Sequence, residues 1–460
     1  MTKPKSKPTK TTNGALTTLQ PNAAGADIGA REIYVAVPPD RDESPVRCFG
    51  TFTDQLRALV EWLRKCRIET LAMEATGVYW IPLAEMLEDA GIVVCLVNPR
   101  HVKNVPGHKT DVQDCQWLQY LHSVGLLRAA FRADAEVRPV RVLWRHRDAL
   151  VRQSACHIQH IHKSLDQMNV QIHHVIADIT GSTGTAIVEA ILAGQRDPAQ
   201  LAALRDKRIK SDLATLARAL TGDYRPEHLF CLRQAYDAFK FVRAQIASVE
   251  AEVHRLQAAL CDTKPKPAAS PKSVEPDTRK VRRSSGKNTP SFPAAELIER
   301  HCGVDLTTIP GLGAATLQGL WTELGCSLAA FPSSKHFASW LSLCPNNRVS
   351  GGKKLSVSTR ATANRVAGVF RIAAQGVGHA HNEIGDFYRR MRARLGGAAA
   401  VTATAHKLAR IFYACLRSKQ TYNASRHDLN SPQRRSKALA KLRAKAQNLG
   451  FQLVELQHSN

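Results

Sequence analysis

Between residues 263 and 293 the chain carries Pro265, Pro267, Pro271, Pro276, Pro290 and Pro293, with Arg279, Lys280, Arg282 and Arg283 among them. Proline has no amide hydrogen to donate and fixes one backbone dihedral, so neither a regular helix nor a central strand runs through such a stretch. The clustered charge keeps it out of any core. The sequence therefore reads as folded parts joined by a basic Pro-rich linker, 263–293. The 460 residues of the chain are enough for several cores. The expected divisions are a disordered basic tail at 1–20, an α/β domain at 21–130 and a helical region at 131–262. After the linker come a mainly α domain at 294–420 and a second basic tail at 421–460.

In the first domain, Gly25-Ala26-Asp27-Ile28-Gly29 leads into Glu32 to Val37, a β-rich run that Pro38-Pro39 ends. Arg47 to Phe52 suits another strand. Leu56, Leu59, Val60 and Leu63 then recur at helical spacing behind Thr53. Thr70 to Glu74 reads as a buried strand, Gly77 to Leu87 as a helix, and Ile92 to Val97 as a short apolar strand. Strands alternating with helices predict an α/β fold with a mixed sheet. From Val137 to Leu260 the strand signal disappears. There Phe239, Val242, Ile246, Val249, Val253, Leu256 and Leu260 step alternately by three and four. Such a seam predicts a coiled coil and hence an oligomer, or else a helix packed on its own domain. Leu439, Leu442 and Leu449 suggest one last helix.

Lys plus Arg number 64 against 39 Asp plus Glu, a formal charge of +25. An excess of this size concerns partners rather than fold, and nucleic acid is the commonest polyanion it would meet. The basic segments at 263–293 and beyond Arg434 read as phosphate-contacting arms. The longest apolar runs are far too short for a membrane span. No apolar stretch follows Lys3, Lys5, Lys7 and Lys10, so no secretory signal is expected. The 11 cysteines are odd in number and show no C-x-x-C spacing. That argues against a disulfide framework or zinc ribbon and for idle thiols in a reducing cytoplasm. Collagen, membrane channels and small disulfide scaffolds are excluded.

Four carboxylates stand where a hydrophobic strand or plain helix would not need them. Asp27 and Glu74 end strands, and Asp111 and Asp114 sit three apart at the start of an expected helix, on one face of it. Singly, each aspartate has an ordinary role in a turn or helix cap. Together, acids at strand ends suit a divalent cation such as Mg²⁺, which takes carboxylate and phosphate oxygens. In the second domain, Pro310-Gly311-Leu312-Gly313 makes a tight turn onto a helix N-terminus, whose amides can hold a phosphate. It resembles the hairpin of helix-hairpin-helix DNA-binding modules. Further on, Arg348-Val349-Ser350-Gly351-Gly352-Lys353-Lys354 sets a serine between basic residues and glycines. That pattern suits either a phosphate-binding β-turn or a serine aimed at phosphorus. His157, His160, His162, His173 and His174 lack partners at zinc-finger spacing and read as helix-surface residues. Trp62, Trp80, Trp117, Trp321 and Trp340 lie in apolar periodic segments and read as core.

The ordered stretches Gly25 to Ala30, Met73 to Tyr79 and Lys109 to Asp114 resemble the DEDD domain of the insertion-sequence-110 family of transposases. The resemblance extends over the second domain. It implies a RuvC-like, ribonuclease H-like first domain in which Asp27, Glu74, Asp111 and Asp114 are both catalytic and metal-binding, holding Mg²⁺ or Mn²⁺. Ser350 matches the position of the family's essential serine, so the resemblance makes it the nucleophile on a DNA phosphodiester. It further implies a bridge RNA as guide, DNA at the element ends and target as substrate, and a homodimer or homotetramer. In such an assembly the carboxylates of one subunit meet the serine of another, in a bacterial cytoplasm and on the nucleoid when active. Pro310, Gly311, Gly313, Arg348, Gly351, Lys353 and Lys354 are the expected nucleic-acid contacts. Asn364, Arg365 and Arg371 stand where commoner members carry Gly-Asn and Leu-Arg-Arg, and suit either phosphate or a polar helix face. The competing readings are a metal-dependent hydrolytic junction nuclease, in which Ser350 only binds phosphate, and a nucleic-acid packaging protein. The second leaves the ordered carboxylates unexplained.

Overall fold

The structure is a computed structural model that describes residues 17–75, 77–98, 110–262, 286–356, 358–362, 364–424 and 432–452. The chain divides into two compact units, residues 1–132 and residues 133–460.

The first unit is built on a five-stranded mixed sheet in the order β3-β2-β1-β4-β5. Its strands are β1 (Ala23–Ile28), β2 (Glu32–Ala36), β3 (Val46–Gly50), β4 (Thr70–Glu74) and β5 (Val93–Val97). β1, β2 and β3 form an antiparallel meander, while β4 and β5 run parallel to β1. This is the mixed α/β arrangement that a ribonuclease H-like fold requires. Side chains alternate across a strand, and here the alternation sorts two faces. Ala24, Ala26, Ile28, Leu71, Met73 and Leu96 point to one core with Leu59 and Leu63 of α1 (Thr53–Lys65) and Leu83 and Leu87 of α2 (Trp80–Asp89). Ala72, Cys95 and Val97 point to the other face and meet Leu118 of α3 (Asp111–Ser123). Leu19 and Gln20, placed by sequence in a disordered tail, both donate their amides to the Ser123 carbonyl at 2.8 Å.

The second unit is almost entirely helical. Its spine is an antiparallel pair, α4 (Arg138–Gln167) and α8 (Pro226–Asp262). Midway along α4, Leu150 packs on Val242 and Ile246, while toward its end Ile161 and Leu165 share a core with Leu232 and Ala235. The heptad seam is thus covered by α4 of the same chain. Three short helices, α5 (Ser182–Leu192), α6 (Pro198–Ala203) and α7 (Leu213–Ala219), complete the core at that far end. Beyond the Pro-rich stretch come α9 (Ala294–Cys302), α10 (Ala314–Leu324) and α11 (Ser334–Trp340). A hairpin of β6 (Arg348–Ser350) and β7 (Lys353–Ser356) follows, then α12 (Arg365–Val377), α13 (Glu383–Leu395), α14 (Gly397–Ser418) and α15 (Pro432–Asn448). Trp321, Phe337, Phe370 and Phe412 are fully buried there. Phe337 lies edge-on to Phe370, which lies edge-on to Phe412. Of the 263–293 stretch, residues 263–285 fall outside the described residues. The remainder is anchored: Ser291 donates its amide to Glu250 at 2.9 Å, and the Phe292 ring stacks on His254. Among the described residues no helix is long and apolar enough to cross a membrane.

Candidate functional site

The strand register brings the first two carboxylates side by side. Ala26 of β1 pairs with Met73 of β4, and one step further along both strands stand Asp27 and Glu74. Asp27 lies two residues beyond Gly25 and Glu74 two beyond Ala72, so both share the face that α3 covers. The helix runs antiparallel to β1. Gln119 donates its side-chain amide to the Ala23 carbonyl at 3.2 Å, and Gly25 lies against Cys115 and Gln119. Continuing up the strand to Asp27 therefore leads to the N-terminal turn of α3, which carries Asp111 and Asp114.

Gly25 makes this approach possible. A Cβ there would stand 2.2 Å from the Gln119 amide nitrogen and 2.5 Å from the Cys115 carbonyl oxygen. Only a residue without a side chain lets helix backbone rest on strand backbone at such range. Thr110 sets where the helix starts, its hydroxyl accepting from the Gln113 amide at 3.3 Å. Asp111 and Asp114 then occupy the first turn, where the helix dipole favours negative charge. Asp27, Glu74 and Asp114 are half-buried, and Asp111 is exposed.

Cys115 reports electrostatically on how close the acids come. Burial pushes its thiol up to about 12, and the negative fields of Asp27 and Asp114 push the same way. The helix residue next to Asp114 thus feels the strand carboxylate as well. Sequence reasoning did not single out Cys115, and only the strand–helix register reveals it. Val78 and Tyr79, at the end of the quoted Met73 to Tyr79 stretch, are exposed in the turn after Glu74. Thr76 and Lys109, part of the quoted motifs, lie outside the described residues.

The donor chemistry fits a hard divalent cation, since every candidate ligand is a carboxylate. Among the described residues, no three His, Cys, Asp or Glu side chains are already gathered into a set that could hold one. The acids share one end and one face of the sheet without forming a closed cage. His157, His160, His162, His173 and His174 lie on partly or fully exposed surface.

In the second unit, Ser350 is exposed at the end of β6 and pairs in register with Lys353. The turn between them is Gly351-Gly352, with φ of 55° and 76°. Positive φ at both central residues is the condition for a type I′ hairpin turn, and glycine meets it without strain. Nothing lies within 4 Å of a Cβ added at either glycine, so backbone conformation rather than crowding selects them. The hairpin stands on a bridge between Pro345 and Thr359, with the Asn346 amide donating to the Ser358 carbonyl at 2.9 Å. The side chains of Arg348 and Lys354 lie outside the described ones.

Pro310, Gly311 and Gly313 lie in the connection from α9 to α10, as the motif predicts. Gly311 has φ +85°, and a Cβ on it would meet Val377 of α12 at 2.3 Å. Gly313 is the N-cap of α10, which no side chain caps. Asn364 has a local task, since its side chain accepts from the Ala367 amide at 3.1 Å and caps α12. Arg141 and Arg145 both bind Glu323 near the end of α10.

Two family models match the chain. Residues 24–170 match a DEDD model described as a transposase, and residues 305–389 match one described as Transposase IS116/IS110/IS902 family. No curated protein matches it.

Proposed function

Since the chain belongs to the insertion-sequence-110 family of transposases, we propose that it cuts and rejoins DNA at the ends and target of its insertion sequence. The observation that supports this reading best is the register of Asp27 beside Glu74, under the turn of α3 that holds Asp111 and Asp114. The second is Ser350, displayed beside a Gly-Gly turn with Lys353 paired opposite.

In this reading the Ser350 hydroxyl attacks a DNA phosphorus. The Oγ–P bond forms as a P–O bond to one sugar breaks, and that strand leaves with a free hydroxyl. The phosphoserine diester conserves the bond, so a second sugar hydroxyl can displace Ser350 without ATP. A serine hydroxyl is a weak nucleophile and needs help to lose its proton. Lys353 offsets charge on the phosphate oxygens, and the Gly351 and Gly352 backbone lets a phosphate come close. Asp27, Glu74, Asp111 and Asp114 would hold a divalent cation, Mg²⁺ or Mn²⁺, which supplies charge neutralisation and acidifies a bound hydroxyl. Tyr79, 51% exposed beside the carboxylate strand ends, offers a face on which a base can stack.

The uncapped α10 N-terminus behind Pro310, Gly311 and Gly313 suits a backbone phosphate. The charge of +25 suits a guide RNA together with DNA. A bridge RNA, a homodimeric or homotetrameric assembly and a cytoplasmic, nucleoid-associated site of action belong to the same proposal and rest on family membership.

A trapping experiment tests the chemistry. The protein is incubated with element-end DNA, Mg²⁺ and co-purifying RNA, then denatured and examined for a covalent protein–DNA adduct. An adduct lost in both Ser350→Ala and Asp27→Ala supports the proposal. Cleavage that persists in Ser350→Ala without any adduct replaces it with the hydrolytic nuclease.

A further inference from the structure

The second unit contains nucleophilic and titratable side chains that recombination does not use. Cys302 is the last residue of α9, and Cys326 follows Gly325 at the end of α10. Neither is in a disulfide, and their sulfurs lie 2.6 Å apart. Cys302 is buried, whereas Cys326 is partly open to solvent. The His301 Nδ1 lies 3.2 Å from the Cys326 sulfur. Trp321 donates its indole N–H to that same Nδ1 at 3.1 Å and to the Cys326 sulfur at 3.3 Å.

A ring nitrogen that receives the indole proton is an acceptor, so the ring's own proton sits on Nε2. There it faces the Glu136 carboxylate at 3.4 Å. Glutamate, imidazole and thiol stand in the order that activates a thiol: the base is beside the sulfur and a carboxylate orients the base. The contacts from Cys302, His301 and Trp321 outweigh burial and hold the Cys326 thiol down at about 5. Its partial exposure and the adjacent His301 Nδ1 make Cys326 the candidate nucleophile of the pair, with Cys302 as the resolving partner.

We propose that Cys302 and Cys326 form a site of reversible oxidation by a hydroperoxide, closing a disulfide between the ends of α9 and α10. The Cys326 thiolate attacks one peroxide oxygen, the O–O bond breaks, and the departing oxygen takes a proton. Cys326 becomes a sulfenic acid. The Cys302 sulfur then attacks the Cys326 sulfur, the S–O bond breaks, and water leaves with the Cys302 proton. In sum two thiols give up two electrons and two protons, and hydrogen peroxide becomes two waters. The bond closes the segment from Cys302 to Cys326, which contains the Pro310–Gly313 turn. Lys419 holds the same end of the segment, its ammonium donating to the Cys302 carbonyl at 2.7 Å.

The test uses the full-length protein and does not depend on recombination. Reduced protein is titrated with hydrogen peroxide, quenched with an alkylating agent, digested and mapped by mass. The first product should be a peptide linked through Cys302 and Cys326, reversed by dithiothreitol, ahead of any change at the exposed Cys48, Cys156 and Cys231. In Cys302→Ser the reaction should stop at a sulfenic acid on Cys326 that dimedone traps. At about pH 6, wild-type Cys326 should react with iodoacetamide roughly tenfold faster than Cys156. Oxidation of the exposed cysteines first, with Cys302 and Cys326 both still alkylated, overturns the proposal. So does a Cys326 no more reactive than Cys156.

Discussion

Arg147 donates through Nε to Oε1 of Glu250 at 2.6 Å, in an ion pair whose side chains are 4% and 6% exposed. The remaining groups are also engaged. A second Arg147 nitrogen donates to the Asn288 carbonyl at 2.8 Å, and Glu250 Oε2 accepts from the Ser291 amide at 2.9 Å. The guanidinium lies 4.4 Å from the centre of the Trp144 ring. One buried pair thus ties α4 and α8 to the segment where the chain returns after residue 285. Arg147→Leu strands a carboxylate away from water and should cost about 3–5 kcal/mol of stability. Urea midpoints measure this, and Arg147→Leu with Glu250→Gln should recover part of the loss. A single-variant cost below about 1 kcal/mol would mean the pair behaves as a surface bridge.

The pH dependence follows from the same pair and from Glu323. Burial alone would lift both carboxyls. Hydrogen bonds from Ser291 and Arg147 to Glu250, and from Arg145 and Arg141 to Glu323, outweigh it and hold both below the ordinary 4.5. A carboxyl lowered by folding contributes stability that is complete above its unfolded value and is lost as pH falls through its folded value. His406 adds an earlier step. Burial, with Arg410 nearby, holds it below 6.5, so the unfolded chain takes its proton first and stability also falls as pH drops below that value. The thermal midpoint should decline gently below pH 6.5 and more steeply below 4.5. Glu323→Gln should blunt the second decline and leave the first.

The seam on α8 shows what a sequence can and cannot convey. Its spacing marks which face is apolar, because residues three and four apart share a helix face. It carries no record of what covers that face, and α4 of the same chain does so through Leu150 and Ile161. Val242, Ile246 and Val253 are buried as the spacing requires, but Glu250 and Gln257, which lie outside the seam, are buried in the same helix as well. The strands of the first unit were legible because β-rich runs bounded by Gly and Pro are local signals. Their order, and so the placing of Asp27 and Glu74 at neighbouring strand ends, is set by contacts distant in sequence. The hairpin at Ser350 was visible as glycines, whereas its I′ geometry depends on dihedrals that no composition encodes.

Because the seam is covered within the chain, Ile246→Asp should act on the fold of one subunit. Ile246 is 3% exposed, and an unpaired carboxylate beside Leu150 has neither water nor partner. Denaturant unfolding should show a loss of at least about 3 kcal/mol that does not change with protein concentration. A variant that kept its unfolding midpoint and only dissociated into smaller assemblies would return the seam to an intersubunit role.

Gly25→Ala tests whether the carboxylates depend on the strand–helix contact. The added methyl meets backbone on α3, which cannot rotate away as a side chain would, so the helix must shift off β1. Asp111 and Asp114 ride on that helix, while Asp27 and Glu74 stay on the strands. Stability should drop by about 1–3 kcal/mol. DNA cleavage should fall much further than DNA binding, and raising Mn²⁺ should restore part of it. Equal losses of binding and cleavage would tie Gly25 to folding alone.

The turn beside Ser350 rests on backbone conformation at Gly352. Gly352 has φ +76° with open space where a side chain would go, so Gly352→Ala introduces backbone strain and no clash. The strain, about 1 kcal/mol, falls on an exposed hairpin and should leave the thermal midpoint of the chain nearly unchanged. It should still twist β6 against β7 and misalign Ser350 with Lys353, lowering covalent adduct formation. Asparagine tolerates positive φ better than alanine, so Gly352→Asn should recover much of the activity that Gly352→Ala loses. If alanine and asparagine were equally harmless, the type I′ turn would have no part in presenting the serine. If both were equally damaging, the small size of glycine against bound DNA would be the reason for it rather than its φ.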